Sequence, residues 1–219
     1  MPGGSGVLVS LAAVLALSVV AVLLLTKLRR SRRDADQGEE IARRRLLALT
    51  GADGLAWPAN VAASEVLEAA MRAAGEDGHG VAREVEKTRP LPCALARDLV
   101  VVATELLDNA LGYCDAEDVA ISAKPARDGG VLVEVDDGGG GMDRDQLREA
   151  NRALKTATPP TLEDGFGLFL VGRLATRHGM KVVLSQREEG VRATVHVPVA
   201  ALSAAASRDA GRRPAQGQG

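Results

Sequence analysis

The stretch Glu105-Leu-Leu-Asp-Asn-Ala110, followed about two strands later by Asp137-Gly-Gly-Gly-Gly-Met142, decides how this chain folds. Glu105 and Asn109 are four residues apart, so in a helix they share one face. Asp137 ends an apolar strand, and the glycines after it allow a flat ligand to approach the backbone closely. Glu105 offers a possible general base, Asn109 offers a cation ligand, and Asp137 offers a carboxylate that can hydrogen-bond the edge of a nucleobase. Together these groups predict an ATP site.

Hydrophobic periodicity supplies the framework around these two stretches. Leu95, Leu99, Val102, Leu106 and Ala110 recur at helical spacing and predict a buried helix over residues 93–111. Further helices are predicted over residues 60–74, 143–154 and 167–178, and strands over residues 81–87, 119–124, 131–136, 181–187 and 191–199. Few strands with helices on one face predict an α+β fold, a two-layer sandwich with a mixed, mostly antiparallel sheet.

The N-terminal region predicts a membrane anchor. Residues 7–25 are apolar apart from two serines, and about 19 such residues are enough to span a bilayer. A cleaved signal peptide would begin with basic residues, whereas here the basic residues follow the run, from Lys27 to Arg33. Their position predicts a single-pass protein of the cell membrane with its C-terminal part in the cytoplasm.

The boundaries predicted from composition follow from this anchor. They are a short extracytoplasmic N-terminus (1–6), a transmembrane helix (7–26), a juxtamembrane linker (27–56), one globular domain (57–202) and a disordered tail (203–219). The net charge of -2 and the aromatic content of 2% argue against nucleic acid as a partner.

Individual residues suggest specific chemistry. The Asn109 amide oxygen suits Mg²⁺, which takes few protein ligands, and Glu105 could order a water or accept a proton. Asp137 could accept a hydrogen bond from the adenine amine. Gly165-Phe-Gly-Leu168 opens a helix, and a helix N-terminus binds phosphate. Each pattern alone also fits a solvated helix face or an ordinary turn.

Taken together, the segments resemble the ATP-binding module of the GHKL superfamily (the Bergerat fold), shared by histidine kinases, gyrase-type topoisomerases, Hsp90 and MutL. Residues 105–110 resemble the N box, residues 137–142 the G1 box, residues 165–179 the G2 box and residues 191–198 the closing strand. Residues 151–154 resemble the helix before the G2 box. The similarity covers residues 57–199 and is nearest to actinobacterial sensor histidine kinases.

The resemblance implies roles for the site residues. It implies Mg²⁺ coordination by Asn109 and adenine recognition by Asp137, with ATP and Mg²⁺ as cofactors. The other residues implied to contact the nucleotide are Gly139, Gly141, Met142, Lys155, Gly165, Gly167, Leu168 and Thr194. Residues 155–164 would form the ATP lid.

The chain departs from the family in two respects. Gly112 stands where the family has a basic residue, and Cys114 where it has serine or threonine. The family's phosphoacceptor histidine on a helical hairpin is also missing, because His79, His178 and His196 fall in a loop, at a helix end and on a strand.

Three functions therefore remain open. The first is a membrane-anchored histidine kinase-type ATPase of two-component signal transduction, which transfers the γ-phosphate to a separate phosphoacceptor protein. The second is a non-catalytic ATP sensor that regulates a partner protein. The third is a serine kinase similar to the anti-sigma kinases. Because family kinases act as dimers, a homodimer is a further expectation.

Overall fold

The computed structural model describes residues 57–74, 80–156 and 166–211. The predicted anchor, the juxtamembrane linker and most of the predicted ATP lid lie outside these residues. Within them, no helix is both long enough and apolar enough to cross a membrane.

The described residues form seven strands and five α-helices. The strands are β1 (Asn60–Val61), β2 (Ala82–Val85), β3 (Leu91–Pro92), β4 (Ala120–Pro125), β5 (Val131–Asp136), β6 (Lys181–Gln186) and β7 (Val191–Val197). The helices are α1 (Ala63–Ala73), α2 (Cys93–Leu111), α3 (Arg144–Ala153), α4 (Phe166–His178) and α5 (Val199–Gly211).

The main sheet has the strand order β2-β4-β5-β7-β6. Strand β2 is parallel to β4, and all the other neighbours are antiparallel. The predicted mixed, mostly antiparallel sheet is therefore confirmed. Strands β1 and β3 form a separate antiparallel pair, which the sequence did not predict.

The core lies between the sheet and helix α2. All five residues predicted to face the core from α2 are buried, as are Val131, Val133 and Val135 on β5. Strand β7 alternates strictly between buried and half-buried residues. One face of the sheet is thus packed and the other is open, which gives the two layers of an α+β sandwich.

The prediction of a disordered tail is wrong for residues 203–211, and residues 212–219 lie outside the described residues. Helix α5 continues from Val199 to Gly211, and Ala201, Leu202 and Ala205 on it are buried. The helix contacts α2 and β3. Because its buried face consists mainly of alanine, the sequence carried no strong periodic signal.

Candidate nucleotide site

The Asp137 side chain is held by the backbone where β5 ends. The Asp137 N–H donates to the Val191 carbonyl at 3.0 Å. Oδ1 of Asp137 accepts from the N–H groups of Gly139 and Val191, each at 3.1 Å. Among the described residues, none donates to Oδ2. The carboxylate is therefore fixed in orientation, with one oxygen available to a ligand.

Next to this carboxylate lies a cavity of about 320 Å³. Its lining residues are Tyr113, Asp137, Gly140, Gly141, Met142, Gln146 and Val191. Ligand pockets in proteins span about 300–1,000 Å³ and combine apolar walls with a few polar groups. The cavity has room for one end of a nucleotide, and its polar anchor is Asp137.

Glycines determine how closely the backbone approaches this carboxylate. A Cβ atom on Gly190, which has a φ of +73°, would lie 1.9 Å from the Asp137 carbonyl oxygen. A Cβ on Gly139 would lie 3.2 Å from Asp137 Oδ1. Gly141, with a φ of +74°, leaves space that the Gln186 side chain fills. Any other residue at position 190 would displace Asp137.

Of the two residues predicted on α2, Glu105 lies at the start of α4. A Cβ on Gly167 would lie 2.8 Å from Oε2 of Glu105, so this carboxylate sits against the first turn of α4. A negative group is stabilised there by the helix dipole. Glu105 is half-buried, whereas Asn109, one turn later, is exposed. Leu168 is half-buried against the core.

The structure separates Thr194 from this group. Residues 191, 193, 195 and 197 of β7 face the core, so Thr194 lies on the open face of the sheet, paired with Glu134 and Val183. Val191 lines the cavity instead, and it replaces Thr194 in our account of the site. The period of two along a strand explains the error, since a residue three positions away points to the opposite face.

Lys155, a further predicted residue, is not among the residues that line the cavity. Lys155 is exposed just after α3, where its N–H donates to the Arg152 carbonyl at 2.9 Å. Gly165 lies outside the described residues. Their roles in phosphate binding stay predictions.

Other residues of the site were missed by the sequence analysis. Tyr113 lines the cavity although 77% of its surface is exposed. Gln146 and Gly190 were also not predicted. Gly190 could have been identified, because it directly precedes a strand that faces the G1 box. The hydrophobic pattern of the sequence did not indicate that Tyr113 would be exposed at the cavity.

The surroundings of the cavity are acidic. Burial raises the pKa of the Cys114 thiol above its ordinary value, and the charges of Asp137, Asp118 and Asp115 raise it further, while a hydrogen bond from the Gly138 backbone opposes the shift. Cys114 is therefore a neutral thiol at pH 7. Among the described residues, no three His, Cys, Asp or Glu side chains form a metal site, and Asn109 as a Mg²⁺ ligand stays a prediction.

An ion pair fixes the register beside the site. The Arg192 guanidinium donates to both oxygens of Asp136, at 2.6 and 2.7 Å. This pairing raises the pKa of Arg192. The ion pair joins β5 to β7 on the open face of the sheet. The next residues along the two strands are Asp137 and Val191, at the nucleotide cavity.

Comparison with known proteins places this arrangement in a family. Residues 94–201 match the model of the histidine kinase-, DNA gyrase B- and HSP90-like ATPases. A search of curated proteins found no match.

Solved structures share the fold. The mycobacterial sensor histidine kinase MprB is 17% identical with a TM-score of 0.50, over 64% of this chain and 95% of that structure. The catalytic domain of the histidine kinase ThkA is 16% identical with a TM-score of 0.52, over 64% and 94%. Residues 94–201 of this chain therefore form a domain of the histidine kinase-, DNA gyrase B- and HSP90-like ATPase type, and the two solved structures share its fold.

Proposed function

We propose that this chain is a membrane-anchored protein of histidine kinase type that binds Mg-ATP and transfers its γ-phosphate to a separate protein in signal transduction. The observation that carries the proposal is Asp137, fixed by two backbone N–H groups beside a glycine-walled cavity. In a domain of this family, that arrangement suits the adenine amine as the donor to Oδ2.

The residues present fit the rest of the nucleotide. Gly140 and Gly141 line the cavity beside Asp137, Gly139 adds no side chain next to the Asp137 carboxylate, and a helix N-terminus such as that of α4 can bind phosphate. Asn109 is exposed on the same face of α2 as Glu105 and would supply an oxygen to Mg²⁺. Bound Mg-ATP supplies the transferable phosphoryl group. Glu105 would accept the proton of the attacking group or orient it.

Transfer to a separate protein is supported by the surroundings of the histidines. His178 has a side chain that is only 5% exposed and bonds Asp98 at 2.7 Å, and His196 bonds Asp128 at 3.2 Å. Both are structural partners of carboxylates and do not face the cavity lining. His79 lies outside the described residues.

A second candidate function is ATP sensing without turnover, in which the bound nucleotide regulates a partner protein. Gly112 and the neutral thiol of Cys114 favour it, because they stand where the family has a basic residue and a hydroxyl. Phosphate consumption by the full chain with Mg-ATP separates the two. Slow turnover supports the kinase, and saturable binding without turnover supports the sensor. Transfer to serine of an added protein would favour the third, anti-sigma-like alternative.

The membrane anchor rests on residues 7–25 and the basic residues that follow. A cytoplasmic reporter fused after Arg33 is expected to be active, and a reporter that works only outside the cytoplasm is expected to be silent. The reverse pattern would overturn the proposed topology.

A further inference from the structure

The outer wall of the cavity is attached to the rest of the domain by specific side-chain hydrogen bonds. Gly140, Gly141, Met142 and Gln146 form this wall, in the segment that follows β5 and ends with α3 (residues 137–153). The segment adds no strand to the sheet within the described residues. None of the ten residues of α3 is buried. Met142, Leu147 and Ala150 are half-buried against the core, so apolar contacts hold the wall in part, and specific polar contacts also determine its position.

Gln186, the last residue of β6, attaches the start of the wall. Its Oε1 accepts from the Met142 N–H at 2.9 Å. Its Nε2 donates to the Arg187 carbonyl at 3.3 Å. A Cβ atom on Gly141 would lie 2.2 Å from Nε2, so the Gln186 amide lies directly on the Gly141 backbone. Gly141 admits this contact because it lacks a side chain.

Asn151 attaches the end of the same segment, near the C-terminus of α3. Its Oδ1 accepts from the Leu184 N–H at 3.0 Å, and its Nδ2 donates to the Leu184 carbonyl at 2.9 Å. Nδ2 also donates to the Leu147 carbonyl at 2.9 Å. The side-chain amide thus pairs with both backbone groups of Leu184, as a neighbouring strand would. Asparagine is a poor helix former, and this pairing explains its place in α3.

The two attachments share one strand edge. Among the described strands β6 is the last of the sheet, so backbone groups on its outer side have no described strand as a partner. Leu184 and Gln186 are two residues apart on it, one bound to each end of the wall segment. Between Met142 and Asn151 in the sequence lies Asp143, the N-cap residue of α3. Its carboxylate accepts from the Asp145 and Gln146 N–H groups at 2.8 Å.

We propose that Gln186 and Asn151 are positioning residues that hold the outer wall of the nucleotide cavity on the edge of β6. This inference rests on the proposed ATP site. Neither side chain lines the cavity, so Gln186 acts through the Met142 backbone and Asn151 acts through the position of α3. The wall lies at the Asp137 end of the cavity, where the base would bind, and its loosening weakens adenosine and ATP by the same factor.

The test uses the full chain with Gln186→Met, Asn151→Asp and a control, Ser185→Ala. Gln186→Met keeps the side-chain length and loses the acceptor. Asn151→Asp places a carboxylate against the carbonyl oxygens of Leu147 and Leu184, and this repulsion moves the side chain away from the Leu184 N–H. The Ser185 hydroxyl donates to the Arg192 carbonyl at 3.4 Å and does not contact the wall. Readouts are amide hydrogen exchange at Met142 and Leu184, and dissociation constants for adenosine and Mg-ATP.

We expect faster exchange at Met142 in Gln186→Met and at Leu184 in Asn151→Asp, with both ligands weakened about two- to tenfold, the effect of losing one hydrogen bond. Gln186→Glu, which restores the acceptor, should restore slow exchange at Met142. Unchanged exchange, or unchanged affinity in variants with faster exchange, would overturn the proposal. If the wild type binds neither ligand, the proposed function fails, and the exchange data still decide whether the two attachments hold the wall.

Discussion

Asp137 and Val191 are bonded to each other twice. The Asp137 N–H donates to the Val191 carbonyl at 3.0 Å, and the Val191 N–H donates to Asp137 Oδ1 at 3.1 Å. The first bond continues the ladder between β5 and β7, and the second ties the side chain to it. The carboxylate is therefore oriented by the sheet before any ligand arrives, so little side-chain entropy is lost on binding.

Gly190→Ala is predicted to abolish ATP binding because its Cβ would lie 1.9 Å from the Asp137 carbonyl oxygen. Gly129→Ala is a matched control, with a φ of +79° and no atom within 4 Å of the added Cβ. Both variants carry the cost of a positive φ, about 1–2 kcal/mol of the free energy of unfolding. Chemical denaturation and ATP titration should show this shared cost, with binding lost only in Gly190→Ala. Equal ATP affinity in the two variants would contradict the role of Gly190.

Glu105→Ala is predicted to retain Mg-ATP binding and to lose turnover. A positioned general base contributes about 100- to 10,000-fold to a rate, so any phosphate release by the wild type should fall by at least about 100-fold. Glu149, exposed on α3, provides the control Glu149→Ala. Equal rates in wild type and Glu105→Ala would show that Glu105 is not the base.

Gly112→Lys is predicted to strengthen ATP binding and leave adenosine binding unchanged. Gly112 has a φ of -74° and a ψ of -12°, which any residue adopts. A lysine there restores the basic residue of the family, and an exposed charge pair with phosphate contributes about 0.2–1 kcal/mol. Comparative titration with ATP and adenosine checks this prediction. A gain for both ligands, or for neither, would mean that position 112 does not face the phosphates.

The turn that joins β4 to β5 is predicted to lose stability only in strong acid. The Gly130 N–H lowers the pKa of Asp128 most, and a hydrogen bond from His196 lowers it further. Because the folded pKa lies below the unfolded value of 3.8, the stabilisation is complete above pH 3.8 and is lost as the pH falls through the folded pKa. Thermal unfolding of wild type and Asp128→Asn should converge below that range. A constant difference at all pH values would assign the effect to something other than this ionisation.

The elements that sequence analysis predicted well are those with strong periodicity. Helix α2 was predicted at its observed bounds because its leucines and valines repeat at 3.6 residues and are buried. Strand β5 was predicted in the same way from the alternation of its valines. Both carry most of the core, and pattern and packing agree in them.

The parts that were missed depend on tertiary contacts. β1 and β3 have two residues each, too few for a period, and α5 is stabilised by alanines packed on α2 and β3. Within the site, Asp137 and the glycines follow from local sequence. The pattern of a single sequence does not show which elements meet in space. For that reason it did not predict the positions of Val191 and Tyr113 at the cavity, or the hydrogen bonds of Gln186 and Asn151.

The most direct test of the account is calorimetric titration of Mg-ATP into the full chain and into Asp137→Asn. We predict saturable binding by the wild type and a loss of about 1–3 kcal/mol in the variant, because its amide replaces a charged hydrogen-bond acceptor. Amide exchange at Val191 should confirm that the variant keeps the β5–β7 register. Equal affinity in a folded Asp137→Asn protein would contradict the assignment of this carboxylate to adenine.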